Sequence, residues 1–261
     1  MHSVFIFNAN ICSDMVSIIT AAYNCAPYIQ QTIRSVQSQT YENWEMIIVD
    51  DSSTDDTLEF VKAEAEKDNR IKYLVNERNL GAAKSRNRGI EMARGKYLTF
   101  LDGDDLWLPG FISTSLIYMK RHDYSFVFSS YRRKDEELNP LYEDFIVPAR
   151  VNYNSLLKTC PISCLTAFID IERTGKFFMP DIPKRQDYGL WLSILKKIGN
   201  AYGIQEPLAV YRIRKNSLSR NKYKAMLYVW KVYRDVEKIN IFYSSYLMVN
   251  YVINGMIKYA R

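Results

Sequence analysis

The run Asp102-Gly103-Asp104-Asp105 sets three carboxylates side by side, directly after the apolar run Tyr97-Leu98-Thr99-Phe100-Leu101. Carboxylate oxygens are hard donors that suit Mg²⁺ or Mn²⁺. A cation held at the end of a rigid strand can bridge and neutralise phosphate oxygens of a ligand. Taken alone, an Asp-x-Asp tripeptide is a weak signal, because a solvated acidic turn has the same composition. A second acidic pair, Asp50-Asp51, ends another apolar run, Trp44 to Val49. Lys84 and Arg86 sit near the start of a helical stretch. Their plain reading is a solvated helix face.

These residues need elements to position them. Val16-Ser17-Ile18-Ile19-Thr20 reads as a strand, followed by a turn region with Asn24 and Pro27. Ile29, Ile33 and Val36 mark a helix over 28–39. Trp44 to Val49 is a second strand, and Ser53 or Thr54 is placed to cap a helix from Asp55 to Lys67. Ile71 to Val75 is a third strand, Gly81 to Arg94 a helix ended by Gly95, and Tyr97 to Leu101 a fourth strand. Strand and helix in alternation imply a mostly parallel sheet flanked by helices. Ligands of such sheets bind at the carboxyl ends of the strands. Tyr23-Asn24, Asp50-Asp51 and the 102–105 cluster all fall at strand ends, so they converge on one edge. A receiver-type signalling domain also gathers Asp residues there, but it would leave about half of this chain without a place.

After Asp123 the pattern loosens. Phe126-Val127-Phe128 is a strand, and 132–150, polar and holding Pro140 and Pro148, reads as a mobile loop. Asp187 to Lys197 is a helix, and Ala209 to Ile213 a late strand. Of 261 residues, 48% are hydrophobic and 25% charged, enough for a sizeable core. The net charge of +6 is unevenly spread: Arg212 to Arg261 holds 11 Lys/Arg against 2 Asp/Glu, so a basic tail follows a mildly acidic body. Cys12, Cys25, Cys160 and Cys164, with only two His, do not make a zinc set, and reduced thiols in a cytoplasmic protein are the plain reading. No secretory signal is visible at the start. Residues 1–14 read as a disordered extension, or Met15 as the native start. A catalytic domain then spans 15–218, with 15–110 as the nucleotide half and 111–218 as the acceptor half.

Four segments together resemble the family 2 glycosyltransferases, inverting enzymes of the GT-A fold. Val16 to Asn24 is similar to the family's opening strand and Tyr-Asn. Glu45 to Asp55 resembles its Asp-Asp-Gly-Ser-x-Asp segment, Asn79 to Asn87 its Asn-x-Gly-x-x-x-Ala-Arg-Asn helix start, and Leu101 to Asp105 its Asp-x-Asp-Asp. The resemblance implies that Ala21, Tyr23 and Asp51 lie on the base side, with the Asp51 carboxylate accepting from the ring N–H of uracil. It also implies that Lys84 and Arg86 approach the nucleotide, that Asp102 faces the ribose beside Gly103, and that Asp104 ligates Mn²⁺ or Mg²⁺. Ala21 stands where the family has Pro, Ser52 where it has Gly, and Ser85 where it has Ala. In Tyr211-Arg212-Ile213-Arg214, Arg214 replaces a common His. An arginine cannot ligate a metal but can pair with phosphate oxygens. The family's general base is the Asp of a Glu-Asp pair, and Gln186-Asp187 matches it with Gln for Glu. Asp187 is therefore the candidate base, and its plain alternative is a helix N-terminal Asp that favours the dipole.

The implied reaction moves a hexose, from UDP-glucose or UDP-galactose, to a polyprenyl diphosphate-linked sugar in O-antigen, capsule or teichuronic-type polysaccharide synthesis. A nucleotide-sugar pyrophosphorylase would need a Gly-rich, basic phosphate loop after the first strand, and none is present. A non-catalytic nucleotide-sugar or membrane-surface binding protein would have less reason to keep both Asp104 and Asp187.

The tail, 219–261, reads as two amphipathic helices. From Arg220 to Lys238, Tyr223, Met226, Leu227, Trp230 and Tyr233 form one face, and Lys224, Lys231 and Lys238 lie on another. Residues 239–257 are uncharged, but Asn240, Ser244, Asn250 and Asn254 make a polar stripe, which argues for a helix lying against something over one crossing a bilayer. Either the tail packs on the body or it docks the enzyme peripherally on the inner face of a bacterial inner membrane. No groove-reading motif points to nucleic acid.

Overall fold

A computed structural model describes residues 14–214 and 222–259. The parallel half alternates as anticipated: β1 (Val16–Ala22), α1 (Ala26–Gln37), β2 (Trp44–Asp50), α2 (Thr57–Lys67), β3 (Ile71–Val75), α3 (Ala82–Met92) and β4 (Tyr97–Phe100). Next come β5 (Leu106–Trp107), α4 (Phe111–His122), β6 (Phe126–Lys134), β7 (Pro140–Phe145), β8 (Arg150–Asn152) and α5 (Tyr153–Lys158). The chain continues through β9 (Phe168–Asp170), α6 (Ile171–Thr174), α7 (Gln186–Ile198), β10 (Asn200–Arg212), α8 (Lys222–Lys231) and α9 (Ile241–Tyr259).

One sheet runs in the order β3-β2-β1-β4-β9-β6-β10-β5, with β7 on β6 and β8 on β10. β3, β2, β1 and β4 are mutually parallel. Beyond them the sheet is mixed: β9 runs antiparallel to both β4 and β6, while β10 is parallel to β6. The central strands are buried on both faces, which explains their continuous apolar runs. Side chains alternate between two cores: Ile19, Ile47, Val49 and Phe100 join Phe126 and Trp191 on one face, and Ile18, Met46 and Ile48 join Ile29, Ile33 and Phe111 on the other.

Several local readings are corrected. α2 begins at Thr57, not Asp55, and Ser53 and Thr54 do not cap it. Instead the Ser53 hydroxyl accepts from the Asn24 backbone, the Thr54 N–H donates to the Asn24 carboxamide, and Asp55 accepts from the Thr57 and Ala26 N–H groups. α3 ends at Met92, and Gly95 lies beyond it. Glycine is needed there because the Met15 carbonyl passes 2.5 Å from where a Cβ would stand. The 132–150 stretch is not a loop throughout. β6 runs on to Lys134 and pairs with β7, an edge strand whose exposed side chains gave the segment its polar look. Pro140 is tolerated as the first residue of that edge. β10 is 13 residues long, extending far upstream of Ala209, and is interrupted by register shifts around Pro207 that hide its periodicity.

The readings for 1–14, Asp14 apart, and for the chain from Arg220 to the start of α8 lie outside the described residues. Asp14 pairs with Lys120 at 2.6 Å and Lys96 at 3.2 Å. In the tail, a π-helical turn at Val232–Val236 follows α8. That extra residue shifts the helical phase. The inward face is Val229, Val232 and Tyr233, while Leu227, placed on the apolar face by spacing, is exposed. Val229, Val232, Tyr233 and Leu247 belong to the same core as Trp191. Tyr233 donates to the Leu157 carbonyl at 2.5 Å, and Glu237, 1% exposed, pairs with Lys196 at 2.6 Å. Among the described residues no helix is long and apolar enough to cross a membrane.

Leu247→Ala is therefore expected to cost about 2–4 kcal/mol in urea unfolding. Phe242→Ala, five residues earlier on α9 but 86% exposed, should change stability by less than about 0.5 kcal/mol.

Candidate active site

Three adjacent strands deliver the site. The Asp51 N–H donates to the Ala22 carbonyl at 2.8 Å and the Leu101 N–H to the Ile19 carbonyl at 3.0 Å. β1 thus ends between β2 and β4, and Tyr23 leaves the sheet between Asp51 and Asp102. Tyr23 is half exposed, with its ring available for stacking.

Asp51 is buried and accepts three hydrogen bonds. Asn76 Nδ2 (2.6 Å) and the Leu80 N–H (2.8 Å) reach Oδ1, and the Gly81 N–H (2.8 Å) reaches Oδ2. An Oδ2 with one donor keeps a lone pair for another. Ser85, fully buried, accepts from the same Asn76 amide at 2.9 Å, so the hydroxyl that replaces the family's Ala joins this network. Ser52 has φ 63°. That left-handed conformation gives a physical reason for glycine in the family's pattern there.

Arg86 is not on a solvated face. It is buried, and its guanidinium donates to Asp102 Oδ1 at 2.5 Å. Burial works against its charge, yet the Asp102 carboxylate outweighs this and holds the group above the usual arginine range, with Asp187 contributing further. Asn87 exchanges two hydrogen bonds with the Met179 backbone, at 2.8 and 2.9 Å. Lys84, by contrast, is a surface residue paired with Asp181 at 3.1 Å. Together they tie α3 to the segment that leads into α7. Asp187 stands half-buried in the first turn of α7, after Arg185, whose φ is 62°. Its charge adds to that of Asp102 at both Arg86 and the buried Cys164.

The acidic loop is held by β10. The Arg212 N–H donates to Asp105 Oδ1 at 2.8 Å, and its guanidinium reaches the Asp104 carbonyl (2.8 Å), the Glu136 carbonyl (2.6 Å) and Gln31 Oε1 (2.7 Å). Asp105, for which sequence offered no role, is thus the buried anchor joining loop to strand. Burial, then the charges of Asp104 and Asp102, push its carboxyl well above the usual range. Arg214 Nη1 lies 3.1 Å from Asp104 Oδ2. Burial and the Asp102 charge raise the Asp104 carboxyl, against the pull of Arg214. Both guanidinium groups, Arg212 and Arg214, sit against the Tyr28 ring, 4.7 and 5.0 Å from its centroid. Gly103 packs closely: a Cβ there would stand 2.8 Å from Cys25 Sγ and would have to push that thiol aside. Ala21 is a half-buried strand residue with no side-chain group to offer.

The structure thus gathers Tyr23, Asp51, Arg86, Asp102, Asp104, Arg214 and Asp187 at one edge, and turns Lys84 outward. Asp105, Arg212, Tyr28, Asn76 and Asn87 were missed. The doubled Asp of the acidic run and the Tyr-Arg segment hinted at the first two, and the closing Asn of the Asn79 to Asn87 motif at the last.

Residues 17–169 match the model of Glycosyl transferase family 2. The chain is 41% identical over 244 residues to a putative teichuronic acid biosynthesis glycosyltransferase, TuaG, of Bacillus subtilis, covering 94% of this chain and 97% of that one. It is 37% identical over 251 residues to the Escherichia coli UDP-Glc:alpha-D-GlcNAc-diphosphoundecaprenol beta-1,3-glucosyltransferase WfgD, covering 94% and 95%. S. aureus TarS 1–349 in complex with UDP-GlcNAc superposes with a TM-score of 0.68 at 17% identity, over 91% of this chain and 71% of that one. The mannosyltransferase PcManGT from Pyrobaculum calidifontis, with GDP-Man and Mn²⁺, gives 0.66 at 17%, over 91% and 73%. These two establish the shared fold.

Arg212→Met removes three side-chain hydrogen bonds at the loop–strand junction and is expected to cost about 2–4 kcal/mol, read by urea unfolding. Arg214→Ala, whose ion pair is partly solvated, should cost less than about 1 kcal/mol.

Proposed function

The chain belongs to glycosyl transferase family 2, and from that premise we propose that it transfers a hexose from UDP-glucose or UDP-galactose to a sugar on a polyprenyl diphosphate carrier. The observation that carries this reading is the pairing of Asp102 with Arg86 and of Asp104 with Arg214, with Asp187 within electrostatic reach of Arg86. The relatives named for teichuronic acid and diphosphoundecaprenol-linked sugars support the acceptor class.

Tyr23 stacks on the base, the open lone pair of Asp51 Oδ2 accepts its ring N–H, and Asp102 meets the ribose. Mn²⁺ or Mg²⁺ would fit the hard oxygen donors of Asp104, whose carboxyl pKa is raised by burial and the Asp102 charge and which already has an arginine beside it. Among the described residues no three candidate ligands converge, so phosphate and water oxygens would complete the shell. Bound there, the cation supplies positive charge against the departing diphosphate. Arg214, 3.1 Å from Asp104 Oδ2, would pair with phosphate oxygens, which a guanidinium can do in bidentate fashion. Asp187 takes the proton of the acceptor hydroxyl as that oxygen bonds to the anomeric carbon. The bond to UDP breaks on the opposite face, so the configuration inverts. The enzyme works on the cytoplasmic face of the membrane that holds the carrier, as a peripheral protein.

Asp187→Asn is expected to keep UDP affinity within about twofold while transfer falls by about 10² or more. Retained turnover would leave Asp187 as a dipole-favouring helix residue only. Arg214→Ala should weaken donor binding about tenfold in calorimetry, and an unchanged affinity removes it from the donor site. With a synthetic diphosphate-lipid acceptor, transfer is expected from UDP-glucose or UDP-galactose. Exclusive use of GDP-mannose would overturn the donor assignment.

A further inference from the structure

The inner face of α9 is mixed: Ser244 and Leu247 are fully buried, Met248 and Tyr251 pack against the same core, and Asn254 Nδ2 donates to the Lys158 carbonyl at 3.2 Å. A second, apolar stripe faces out. Phe242, Tyr246, Val249 and Ile253, at steps of four, three and four, are 86%, 51%, 59% and 53% exposed. That spacing puts them on one line down the helix. A contiguous apolar stripe of this kind on a soluble protein marks a contact surface.

The surroundings point to one occupant. Lys238, exposed, stands three residues before α9, Lys231, also exposed, ends α8, and the chain from Arg212 to Arg261 carries 11 Lys/Arg against 2 Asp/Glu. An outward apolar stripe with tyrosines and a basic flank matches an interfacial helix on anionic lipid. A symmetric contact between two copies would instead set the same basic flank near itself. The stripe also lies close to the chemistry. Tyr251, on the inner side of α9, packs its ring 6.5 Å from that of Tyr188, the residue after Asp187. The outer face of α9 is therefore about one helix diameter from the helix that carries the base.

We propose that Phe242, Tyr246, Val249 and Ile253 insert into the headgroup boundary of an anionic bilayer and hold Asp187 at the level where a lipid-linked hydroxyl emerges. The purpose rests on the lipid-acceptor reading above, whereas the insertion does not.

The test compares the full chain with Phe242→Asp/Val249→Asp on phosphatidylglycerol-containing and pure phosphatidylcholine vesicles, by co-sedimentation, with light scattering for oligomeric state. Both positions are exposed, and an unchanged melting curve confirms folding. The wild type is expected to prefer anionic vesicles, and the variant to bind them about tenfold more weakly. On a vesicle-embedded acceptor the variant should lose turnover to a similar degree, while on a short-chain soluble acceptor it should match the wild type. Equal vesicle binding by both proteins overturns the proposal, as does a wild-type dimer that the variant splits without any vesicle binding. Vesicle binding lost in the variant, with no transfer to any acceptor by the wild type, would sustain the docking face and reject the reaction.

Discussion

Carboxylates crowded at the carboxyl edge of a sheet repel one another, and burial makes the repulsion worse, so each must be given a positive partner or a proton. That constraint organises this molecule. Asp51 is answered by an amide and two backbone N–H groups, and Asp102 by a buried guanidinium. Asp104 has Arg214, and Asp105 has the Arg212 backbone together with a strongly raised pKa. The site is therefore poised: of the two Asp-x-Asp carboxylates, Asp104 carries the counter-ion with the lighter hold, since the Arg214 side chain is more exposed than that of Arg86.

The second half of the chain supplies most of what the first half needs. β10 passes through the mixed part of the sheet and delivers Arg212 and Arg214 to the acidic loop, with Tyr28 of α1 against both. α3 begins under Asp51 and supplies Arg86. Asn87 and Lys84 then fasten the segment leading into α7, which carries Asp187. The tail packs on that same helix, through Tyr251 on Tyr188 and Glu237 on Lys196.

The parallel half was legible because β1, β2 and β4 are buried on both faces and end in polar residues, so the sequence shows apolar runs with abrupt stops. The rest was harder for identifiable reasons. β7 is an edge strand with nearly every side chain in solvent, and β10 is broken around Pro207. The Asp105–Arg212 contact joins residues 107 apart and leaves no local pattern. In the tail, Ser244 and Asn254 of the polar stripe of α9 lie against the body while Asn240 is exposed, and α8 packs through Val229, not through Leu227. The candidate residues came from motif resemblance. Their pairing into carboxylate and guanidinium couples did not, because it depends on which strands are neighbours.

The central claim is that Asp104, now paired with Arg214, is the residue that would hold a divalent cation beside the nucleotide. Calorimetric titration of UDP, with and without Mn²⁺, into the wild type and Asp104→Asn tests it most directly. Mn²⁺ should tighten UDP binding by about tenfold or more in the wild type and leave the variant unmoved. Equal UDP affinity with and without Mn²⁺, or full coupling in the variant, would contradict it.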